Sequence, residues 1–580
     1  QDAKDGILKI LYIHPVRMEN AEWIRDSRKL KISMIVVDEA HCISTWGHDF
    51  IPAYRRIINL VNLLPENYPV LATTATATKR VERDIEKQIS GDITTIRGEL
   101  IRENFELYVV KVSNEDDKLL WLGENLERLE GTGIIYTGTR VNTEIYSRWL
   151  EFMGINTTEY NAGLDSDSRK EIEKGLMENR WKAVISTNAL GMGIDKPDIR
   201  FIIHTQIPAS PIHYYQEIGR AGRDGKPTKL ILFYNHSKDD KGIEEDFKLP
   251  KAFIDGGRPS IKNYQKVINA LKNEQLGERQ LMKATNLKQT QVRVIKADLI
   301  EQGIIKEAVY GRSKKYEYQF NAPELNTKAF DDLRQLKLTE LNSIIEYVNL
   351  STSRMKFLCD YLGDSSHTNY KNCDNTSLSP FRLNPSDLIT DRLTEFRETY
   401  FPELNVESKS SNIVNGVASS YYGVSTVGTA LHRSKYENGG DFPDFLLKLT
   451  LKAFRKRYGQ DPFDLIVYVP PTESGELVKN FAEKLSRVLK IPISHSLIKT
   501  GETKPQKEFK NGYLKRDNVL HKFDYSNPNE IAGKNVILFD DVFDSGATLK
   551  EIGNLLTRLG ASKIAPLVIA RTVGGDILNK

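Results

Sequence analysis

Residues 33–50 of the 580-residue sequence read SMIVVDEAHCISTWGHDF, and they decide the fold of the N-terminal part of the chain. The apolar, β-branched run at 34–37 predicts a buried strand of a parallel sheet. Such sheets bind ligands at the carboxyl ends of their strands, where Asp38, Glu39 and His41 follow. An Asp at this place can hold Mg²⁺, and the next Glu can activate water for attack on a phosphate. The stretch therefore predicts a site of nucleotide hydrolysis, with an ordinary acidic turn as the alternative.

The residues after the acidic turn separate these two interpretations. Residues 38–50 match the pattern DEAHCIS-x-WGHDF and so resemble the extended motif II of the RecQ helicases. In that family the aromatic loop couples DNA contact to ATP hydrolysis. The resemblance implies that Trp46, His48 and Phe50 contact unpaired bases, by stacking or through a polar group. Taken alone, an exposed Trp and Phe are more often packed against a neighbouring loop.

Further segments follow in the order that a two-lobed helicase motor requires. They are 70–78 (VLATTATAT, motif III), 133–140 (GIIYTGTR, motif IV), 160–164 (YNAGL, with Asn161 in place of the family's His), 185–197 (ISTNALGMGIDKP, motif V) and 216–225 (QEIGRAGRDG, motif VI). The resemblance implies that Gln216 senses the γ-phosphate and that Arg140 and Thr187 track the DNA backbone. It also implies that hydrolysis is coupled to movement by Thr74, Thr76, Gly193 and Asp195.

Motif VI carries two arginines, Arg220 and Arg223, that are three residues apart. On a helix this spacing places both on one face, where they would point into the cleft together. Guanidinium groups there stabilise the negative charge of the γ-phosphoryl transition state. For an isolated RAGR sequence a basic helix surface would be the better interpretation, but here motifs II to V precede it.

The glycine-rich loop G-x-x-x-x-G-K-[ST], which cradles nucleotide phosphates, occurs nowhere in the sequence, and only 37 residues precede Asp38. The chain also begins with Gln1. Residues 6–15 (GILKILYIHP) resemble the family's strand just before motif II. We therefore expect the sequence to start midway through the first lobe, to bind ATP poorly and not to unwind DNA by itself. An intact parent protein is expected to do both.

The middle of the chain predicts a second DNA-binding element. Residues 258–322 contain two short helices around a polar turn and two strands with a basic tip, the pattern of a winged-helix-like domain. Arg293 and Lys296, on the second helix, are the predicted DNA contacts, chiefly to phosphates. The alternative is a small domain that packs against protein.

Residues 323–376 resemble the zinc-binding hairpin of the RecQ family, with its ligands replaced. The four ligand positions hold Ser353, Tyr370, Cys373 and Thr376. Structural zinc requires four Cys or His ligands, so zinc is predicted to be lost and the hairpin to be held by apolar packing. Cys359 and His367 offer a makeshift alternative together with Cys373.

Beyond a predicted linker at 377–412, strands and helices alternate through residues 413–580. Residues 535–549 read NVILFDDVFDSGATL and resemble the type I phosphoribosyltransferase signature. Acidic residues at a strand end, followed by a small-residue loop that opens a helix, suit a Mg²⁺-bound sugar pyrophosphate. An ordinary strand–loop–helix is the alternative for a shorter match. The resemblance implies that phosphoribosyl pyrophosphate contacts Asp540, Asp541, Asp544, Ser545, Gly546, Ala547 and Thr548. Segments 421–436 and 499–519 resemble the ComF-like branch.

Composition fits a multidomain α/β protein without membrane contact. The net charge is only +4, so nucleic-acid binding must come from local patches, and three cysteines provide no disulfide framework. No apolar run approaches the roughly 18–20 residues that span a bilayer, and a bacterial cytosolic or nucleoid location is expected. The predicted domains are a partial first RecA-like lobe (1–92), a second RecA-like lobe (93–248), the winged-helix-like domain (258–322), the hairpin (323–376), the linker (377–412) and the transferase-like domain (413–580).

The function predicted from these resemblances is that of an ATP-dependent 3′→5′ DNA helicase in recombination and repair. Its expected partners are ATP and single-stranded or branched duplex DNA. Mg²⁺ would accompany ATP and the phosphoribosyl pyrophosphate of the appended domain, and no zinc is expected. Two alternatives remain open, a DNA-binding module without motor activity, and phosphoribosyl transfer or nucleotide sensing as the main activity.

Overall fold

The computed structural model describes residues 7–14, 23, 27, 30, 32–44, 54, 57, 69–89, 93–191, 194–238, 242–310, 313–365, 370–406, 410–422, 426–436, 440–459, 461–470, 476–500, 514 and 519–572. The chain divides into two compact units, one of residues 1–257 with 327–393 and the other of residues 258–326 with 394–580. None of the helices in the described part of the chain has the length and apolarity needed to cross a membrane.

The acidic turn of residues 38–41 lies at the edge of a small parallel sheet. Strand β1 (Ile35–Val37) pairs in parallel with β2 (Val70–Ala72), as the apolar run predicts. The predicted burial of this run is wrong, because in the described two-stranded sheet Met34 and Val36 are more than half exposed and only Val37 is buried. A short 3-10 turn (Ala40–Ile43) follows β1, and helix α1 (Lys79–Gln88) follows β2. Buried apolar side chains from the strand and the turn pack against this helix. This packing brings the carboxyl ends of both strands to one edge.

A second, six-stranded sheet has the order β3-β8-β7-β4-β6-β5, and all of its strand pairs are parallel. Helices connect the strands, as expected for an α/β unit, and most side chains of the central strands are buried on both faces. Its elements are β3 (Phe105–Val112), α2 (Glu115–Asn125), β4 (Thr132–Tyr136), α3 (Arg140–Phe152), β5 (Thr157–Tyr160), α4 (Ser166–Met177), β6 (Ala183–Ser186), β7 (Ile199–His204), α5 (Pro211–Ile218) and β8 (Thr228–Asn235), and α6 (Glu245–Gly256) follows.

A helical group with a two-stranded hairpin comes next, and both parts agree with the elements predicted there. The strands pair in antiparallel fashion. The elements are α7 (Ile261–Asn273), α8 (Glu278–Thr285), α9 (Gln289–Glu301), β9 (Ile305–Tyr310) and β10 (Ser313–Tyr318).

The chain then returns to the first unit with two helices, α10 (Lys328–Val348) and α11 (Arg354–Tyr361). Apolar side chains of both helices join the core of the six-stranded sheet. The segment at 370–376 runs back to strand β3, where backbone hydrogen bonds hold it.

The C-terminal part contains a second six-stranded sheet of order β11-β12-β18-β17-β13-β14, in which only the β11–β12 pair is antiparallel among the described strands. Strands β15 and β16 form a separate antiparallel pair. The elements are α12 (Asp387–Thr399), β11 (Glu403–Leu404), β12 (Gly416–Tyr422), α13 (Thr426–Tyr436), α14 (Asp444–Tyr458), β13 (Leu465–Tyr468), α15 (Leu477–Leu489), β14 (Ile493–Ser494), β15 (Leu497–Lys499), β16 (Phe523–Tyr525), β17 (Asn535–Phe543), α16 (Ala547–Arg558) and β18 (Lys563–Thr572).

Candidate functional sites

The carboxylate of Asp38 lies exposed at the carboxyl end of β1. Its Oδ1 accepts a hydrogen bond from the Thr73 hydroxyl at 2.9 Å and one from the Glu39 backbone N–H at 3.0 Å. Glu39 has a left-handed backbone (φ 51°), which turns the chain sharply after the strand. These contacts orient Asp38 while leaving its outer face open to solvent, as an oxygen ligand of Mg²⁺ requires.

His41 connects this acidic turn to motif III. The buried imidazole places Nδ1 2.9 Å from the Thr74 hydroxyl and 3.3 Å from a Glu39 carboxylate oxygen. The Thr74 hydroxyl also accepts a hydrogen bond from the Thr76 backbone N–H at 3.2 Å. The residues that the sequence assigned to hydrolysis and to coupling are therefore in contact with one another.

Gln216 of motif VI joins the same group from helix α5. Its Nε2 donates to the hydroxyl of Thr76 at 2.9 Å, across a separation of 140 residues in the chain. The Ser210 hydroxyl caps the helix, and Pro211 occupies its first turn, so the start of α5 is well defined. Motifs II, III and VI thus form one hydrogen-bonded group.

The two arginines of motif VI do not share a helix face, so this part of the sequence interpretation is wrong. Helix α5 ends at Ile218, and both arginines lie in the turn beyond it. Gly222, between the two arginines, has a positive φ of 56°, and a Cβ there would meet neighbouring side-chain atoms at 2.4 Å, so this position in the turn favours glycine.

Arg220 and Arg223 both contact motif V. The Arg220 guanidinium donates to the backbone carbonyl of Gly191, and Arg223 Nη1 lies 2.5 Å from Asp195 Oδ1. These contacts connect the arginine turn to the segment that the resemblance assigns to coupling.

Two further motif residues predicted to contact DNA lie on helix α3 and after strand β6. Arg140 is exposed at the first position of α3, and Thr187 is half-buried after β6. The predicted residues Trp46, His48, Phe50 and Gly193 lie outside the described residues.

In the described part of the hairpin, the side chains at two of the predicted ligand positions hydrogen-bond to backbone carbonyls. The hydroxyl of Tyr370 donates to the carbonyls of Phe105 and Arg102, and the hydroxyl of Thr376 donates to the carbonyl of Lys371 at 2.5 Å. No group of three or more His, Cys, Asp or Glu side chains suited to a metal occurs within the described ranges. His367, part of the makeshift alternative, lies outside them. Hydroxyl groups committed to carbonyls do not fit a structural zinc site.

A buried ion pair occupies this region. Arg354 Nε lies 2.6 Å from Asp374 Oδ1, and both side chains are 5% exposed. The other Asp374 oxygen accepts the backbone N–H of Val109 at 2.8 Å, and Arg354 Nη1 donates to the carbonyl of Tyr347 at 2.8 Å. The hairpin is therefore joined to strand β3 by charge and hydrogen bonds as well as by the apolar packing that the sequence predicted.

The two predicted DNA contacts of helix α9 have different surroundings. Arg293 is exposed and lies 3.0 Å from a Glu278 oxygen. Lys296 is only 7% exposed, and its ammonium lies 2.6 Å from Glu278 and 3.0 Å from the Tyr316 hydroxyl. Burial raises the pKa of Glu278, but hydrogen bonds from Lys296 and Gln289 outweigh it and lower that pKa to about 2. A DNA contact by Lys296 would have to break both of its contacts.

The transferase-like signature forms a strand–loop–helix at the carboxyl edge of the C-terminal sheet. Asp540 and Asp541 belong to β17, and Gly546 adopts a left-handed backbone (φ 70°) immediately before α16. A side chain at Gly546 would come within 2.9 Å of the Phe543 ring, so the turn requires glycine. Ala547 and Thr548 begin the helix, after Ser545 in the loop, and Asp544 accepts a hydrogen bond from Thr572 at 3.0 Å.

Two lysines that the sequence did not assign to the site lie beside the acidic residues. Lys435 Nζ is 2.5 Å from Asp541 Oδ2. Lys499 is half-buried at the end of β15, and burial lowers its pKa while the charge of Asp540 opposes that shift. Burial and the charge of Asp541 raise the pKa of Asp540 above its ordinary value. Both lysines lie in the segments that resemble the ComF-like branch, and this resemblance could have pointed to them from the sequence.

Three families match the chain. A DEAD/DEAH box helicase family matches residues 1–84, the helicase conserved C-terminal domain matches 117–225, and the phosphoribosyl transferase domain matches 452–574. These matches confirm the predicted α/β class with RecA-like helicase folds and a phosphoribosyltransferase domain. The winged-helix, ComF-like and truncated-lobe interpretations stay predictions.

Curated relatives match the helicase part. The chain is 41% identical over 235 residues to the ATP-dependent DNA helicase RecQ of Bacillus subtilis, covering 40% of this chain and 39% of that protein. It is 34% identical over 232 residues to RecQ of Pasteurella multocida, covering 40% and 36%. The chain thus spans about two fifths of the length of these relatives. Among solved structures, Mycobacterium smegmatis helicase Lhr bound to ssDNA and AMP-PNP aligns with a TM-score of only 0.33 at 17% identity, over 53% of this chain and 44% of that one.

For the N-terminal half, the motif order, the contacts among the motifs and the similarity to curated relatives all indicate helicase regions. For the C-terminal part, the family match and the strand–loop–helix both indicate a phosphoribosyltransferase domain. The chain is a homologue of the RecQ helicases over its helicase regions, with a phosphoribosyltransferase domain near its C-terminus.

Proposed function

We propose that this chain supplies motor elements of an ATP-dependent 3′→5′ DNA helicase that acts in recombination and repair. The observation that carries the proposal is the hydrogen bond from Gln216 to Thr76. It joins motif VI to motif III, directly beside the turn that holds Asp38. A contact between motifs so far apart in sequence is what coupling between nucleotide and DNA requires.

The roles of the motif residues follow from their chemistry. With ATP bound, Asp38 would hold its Mg²⁺, and Glu39 would orient and polarise the attacking water. Gln216 would report the state of the γ-phosphate to Thr76 through their hydrogen bond. Arg220 and Arg223 would leave or share their motif V contacts to stabilise transition-state charge.

DNA is the proposed partner, in single-stranded or branched duplex form. Exposed Arg140 and half-buried Thr187 would contact the DNA backbone, and Trp46 and Phe50 would stack on unpaired bases. The location that we propose with this partner is the bacterial cytosol or nucleoid.

The first experiment measures DNA-stimulated ATP hydrolysis. It compares this chain with a chimera that is extended upstream by a helicase segment carrying a phosphate-binding loop. We expect hydrolysis by the chimera only, and its loss on Glu39→Gln, with Glu103→Gln as an exposed control. Absence of hydrolysis in both proteins would refute the motor function. DNA binding that persists without hydrolysis would favour the non-motor DNA-binding module.

A second activity, binding of phosphoribosyl pyrophosphate, is favoured by the strand–loop–helix at β17. The backbone N–H groups at the start of α16 can hold a 5′-phosphate, and Asp540 can accept hydrogen bonds from ribose hydroxyls. Carboxylate oxygen suits Mg²⁺, which would supply charge neutralisation for the pyrophosphate when bound. Calorimetric titration of the whole chain with phosphoribosyl pyrophosphate and Mg²⁺ tests this. Absence of heat would reject it, and so would binding unaffected by Asp540→Asn.

A further inference from the structure

The adjacent acidic residues of β17 lie on opposite faces of the C-terminal sheet. Successive side chains of a strand alternate between faces. Ile537 and Phe539 pack in the apolar cluster formed with α13, α14 and α15. Val536 and Leu538 pack in the other cluster, with α16, β15 and β16. Asp540 follows Leu538 in the second series. Past the acidic pair the alternation shifts, since Val542 packs against the first cluster and Phe543 against the second. The face of Asp541 is therefore given by its ion pair with Lys435 of α13.

Asp541 belongs to the helix-covered face and has a partner there. Lys435, from α13, places Nζ 2.5 Å from Asp541 Oδ2, and the two side chains are 13% and 10% exposed. Val427 and Leu431 of the same helix are buried in the apolar cluster of that face. An ion pair this enclosed holds α13 against the end of β17, and it neutralises a carboxylate that burial would otherwise penalise.

Asp540 belongs to the face that carries the loop and the start of α16. It is half-buried, and its Oδ1 accepts the Asp541 backbone N–H at 2.8 Å, which fixes the carboxylate at the strand end. Lys499 ends β15, whose Leu497 packs in the apolar cluster of this face, and the charge of Asp540 acts on Lys499. The charge of Lys435 also reaches Asp540, but its direct ion pair is with Asp541.

We propose that Asp540 and Lys499 face the ligand, whereas Asp541 and Lys435 form a positioning pair on the opposite side of the sheet. This inference rests on the proposed binding of phosphoribosyl pyrophosphate. The Asp540 carboxylate then accepts hydrogen bonds from the ribose hydroxyls, and Lys499 donates a hydrogen bond to a phosphate oxygen. The ligand class is a pentose carrying a vicinal diol and a phosphate or pyrophosphate.

The test uses the whole chain and two measurements, the dissociation constant of phosphoribosyl pyrophosphate with Mg²⁺ and the melting temperature. Asp540→Asn and Lys499→Gln are each expected to weaken binding about tenfold or more, with little change in melting temperature. Asp541→Asn and Lys435→Gln are expected to lower the melting temperature by several degrees and to weaken binding far less than Asp540→Asn. The double variant of Asp541 and Lys435 should recover part of that loss, because removing one partner leaves a buried charge uncompensated.

The more exposed pair of Lys563 and Asp461 in the same unit, with side chains 30% and 46% exposed, provides the matched control. Lys563→Gln should change neither measurement, since exposed ion pairs contribute little. Equal loss of binding in Asp540→Asn and Asp541→Asn, at unchanged melting temperature, overturns the inference. If the unsubstituted chain binds no phosphoribosyl pyrophosphate, the proposed function fails. In that case the double-variant cycle still tests the pairing of Asp541 with Lys435. Recovery of the melting temperature in the double variant supports the pairing, and additive losses of melting temperature overturn it.

Discussion

Arg354 and Asp374 form an ion pair with 2.6 Å between Nε and Oδ1, inside the hairpin that sequence resemblance associates with zinc. Asp374 also accepts the backbone N–H of Val109, so the pair joins the hairpin to strand β3. Hydroxyl-bearing residues stand at three of the positions that resemble the family's zinc ligands, and two of them hydrogen-bond to backbone carbonyls. In the described part of this segment, charge pairing and backbone contacts provide the attachment to strand β3.

Breaking this pair should destabilise the first unit. Asp374→Asn or Arg354→Met is expected to cost about 3–5 kcal/mol in the free energy of unfolding, because it strands one buried charge. Urea unfolding followed by tryptophan fluorescence measures the loss. Lys356→Met, which breaks a partly exposed pair with Asp360 on α11, should cost less than about 1 kcal/mol. A zinc chelator should leave the transition of the unsubstituted chain unchanged. A chelator effect of similar size would show that metal holds the hairpin.

The contact between Gln216 and Thr76 should govern hydrolysis rather than folding. In the chimera with a phosphate-binding loop, Gln216→Ala and Thr76→Val are each expected to lower the DNA-stimulated turnover number about 10- to 100-fold. DNA affinity should be retained. Because the two side chains act through one hydrogen bond, the double variant should be no slower than the worse single variant. Gln265→Ala, on the exposed face of α7, is the control. Additive losses would mean that the two residues act independently.

Glu340 should make the first unit less stable at alkaline pH. Burial on α10 raises its pKa from 4.5 to about 7, against the opposing charges of Lys337 and Arg80. Folding therefore favours the protonated carboxyl. Below pH 4.5 the ionisation of this group does not lower the free energy of unfolding, and the reduction grows until the pH passes 7. The full difference corresponds to about 3 kcal/mol.

Replacement of Glu340 tests that dependence directly. Glu340→Gln should be more stable than the unsubstituted chain at pH 8, and the advantage should fade toward pH 4.5. Thermal unfolding across this range measures it, with Glu346→Gln on the exposed side of the same helix as the control. A constant difference at every pH would assign the effect to packing instead of titration.

The two basic residues of helix α9 should separate in their effects. Arg293→Ala is expected to weaken DNA binding and to lower the slope of log affinity against log salt by about one, as loss of one phosphate contact does. Lys296→Ala should instead lower stability by about 1–3 kcal/mol, because it leaves Glu278 and Tyr316 without its ammonium. Fluorescence anisotropy with labelled DNA and thermal unfolding distinguish the two. Lys266→Ala on exposed α7 is the control, and a salt-slope change in Lys296→Ala would contradict this division.

Local sequence was sufficient for the elements that carry the motifs. The β-branched run before Asp38 and the apolar run before Asp540 each form parallel strands. The burial predicted for the first run was wrong, since Met34 and Val36 are more than half exposed. The antiparallel hairpin after α9 was predicted correctly, and its tip at 311–312 lies outside the described residues. The arginine turn was not, because a spacing of three indicates a shared face only where a helix continues, and α5 ends before Arg220.

By itself the sequence determined which chemical groups this protein has: the motif order, the acidic strand ends and the glycine turn at Gly546. Only the tertiary structure decided which groups meet. The hydrogen bond of Gln216 with Thr76 and the ion pair of Lys435 with Asp541 join residues that are more than a hundred positions apart. The physical reason is that such contacts form only when packing has brought distant segments together. Burial, which sets the pKa of Glu340 and encloses Lys296, arises from that same packing.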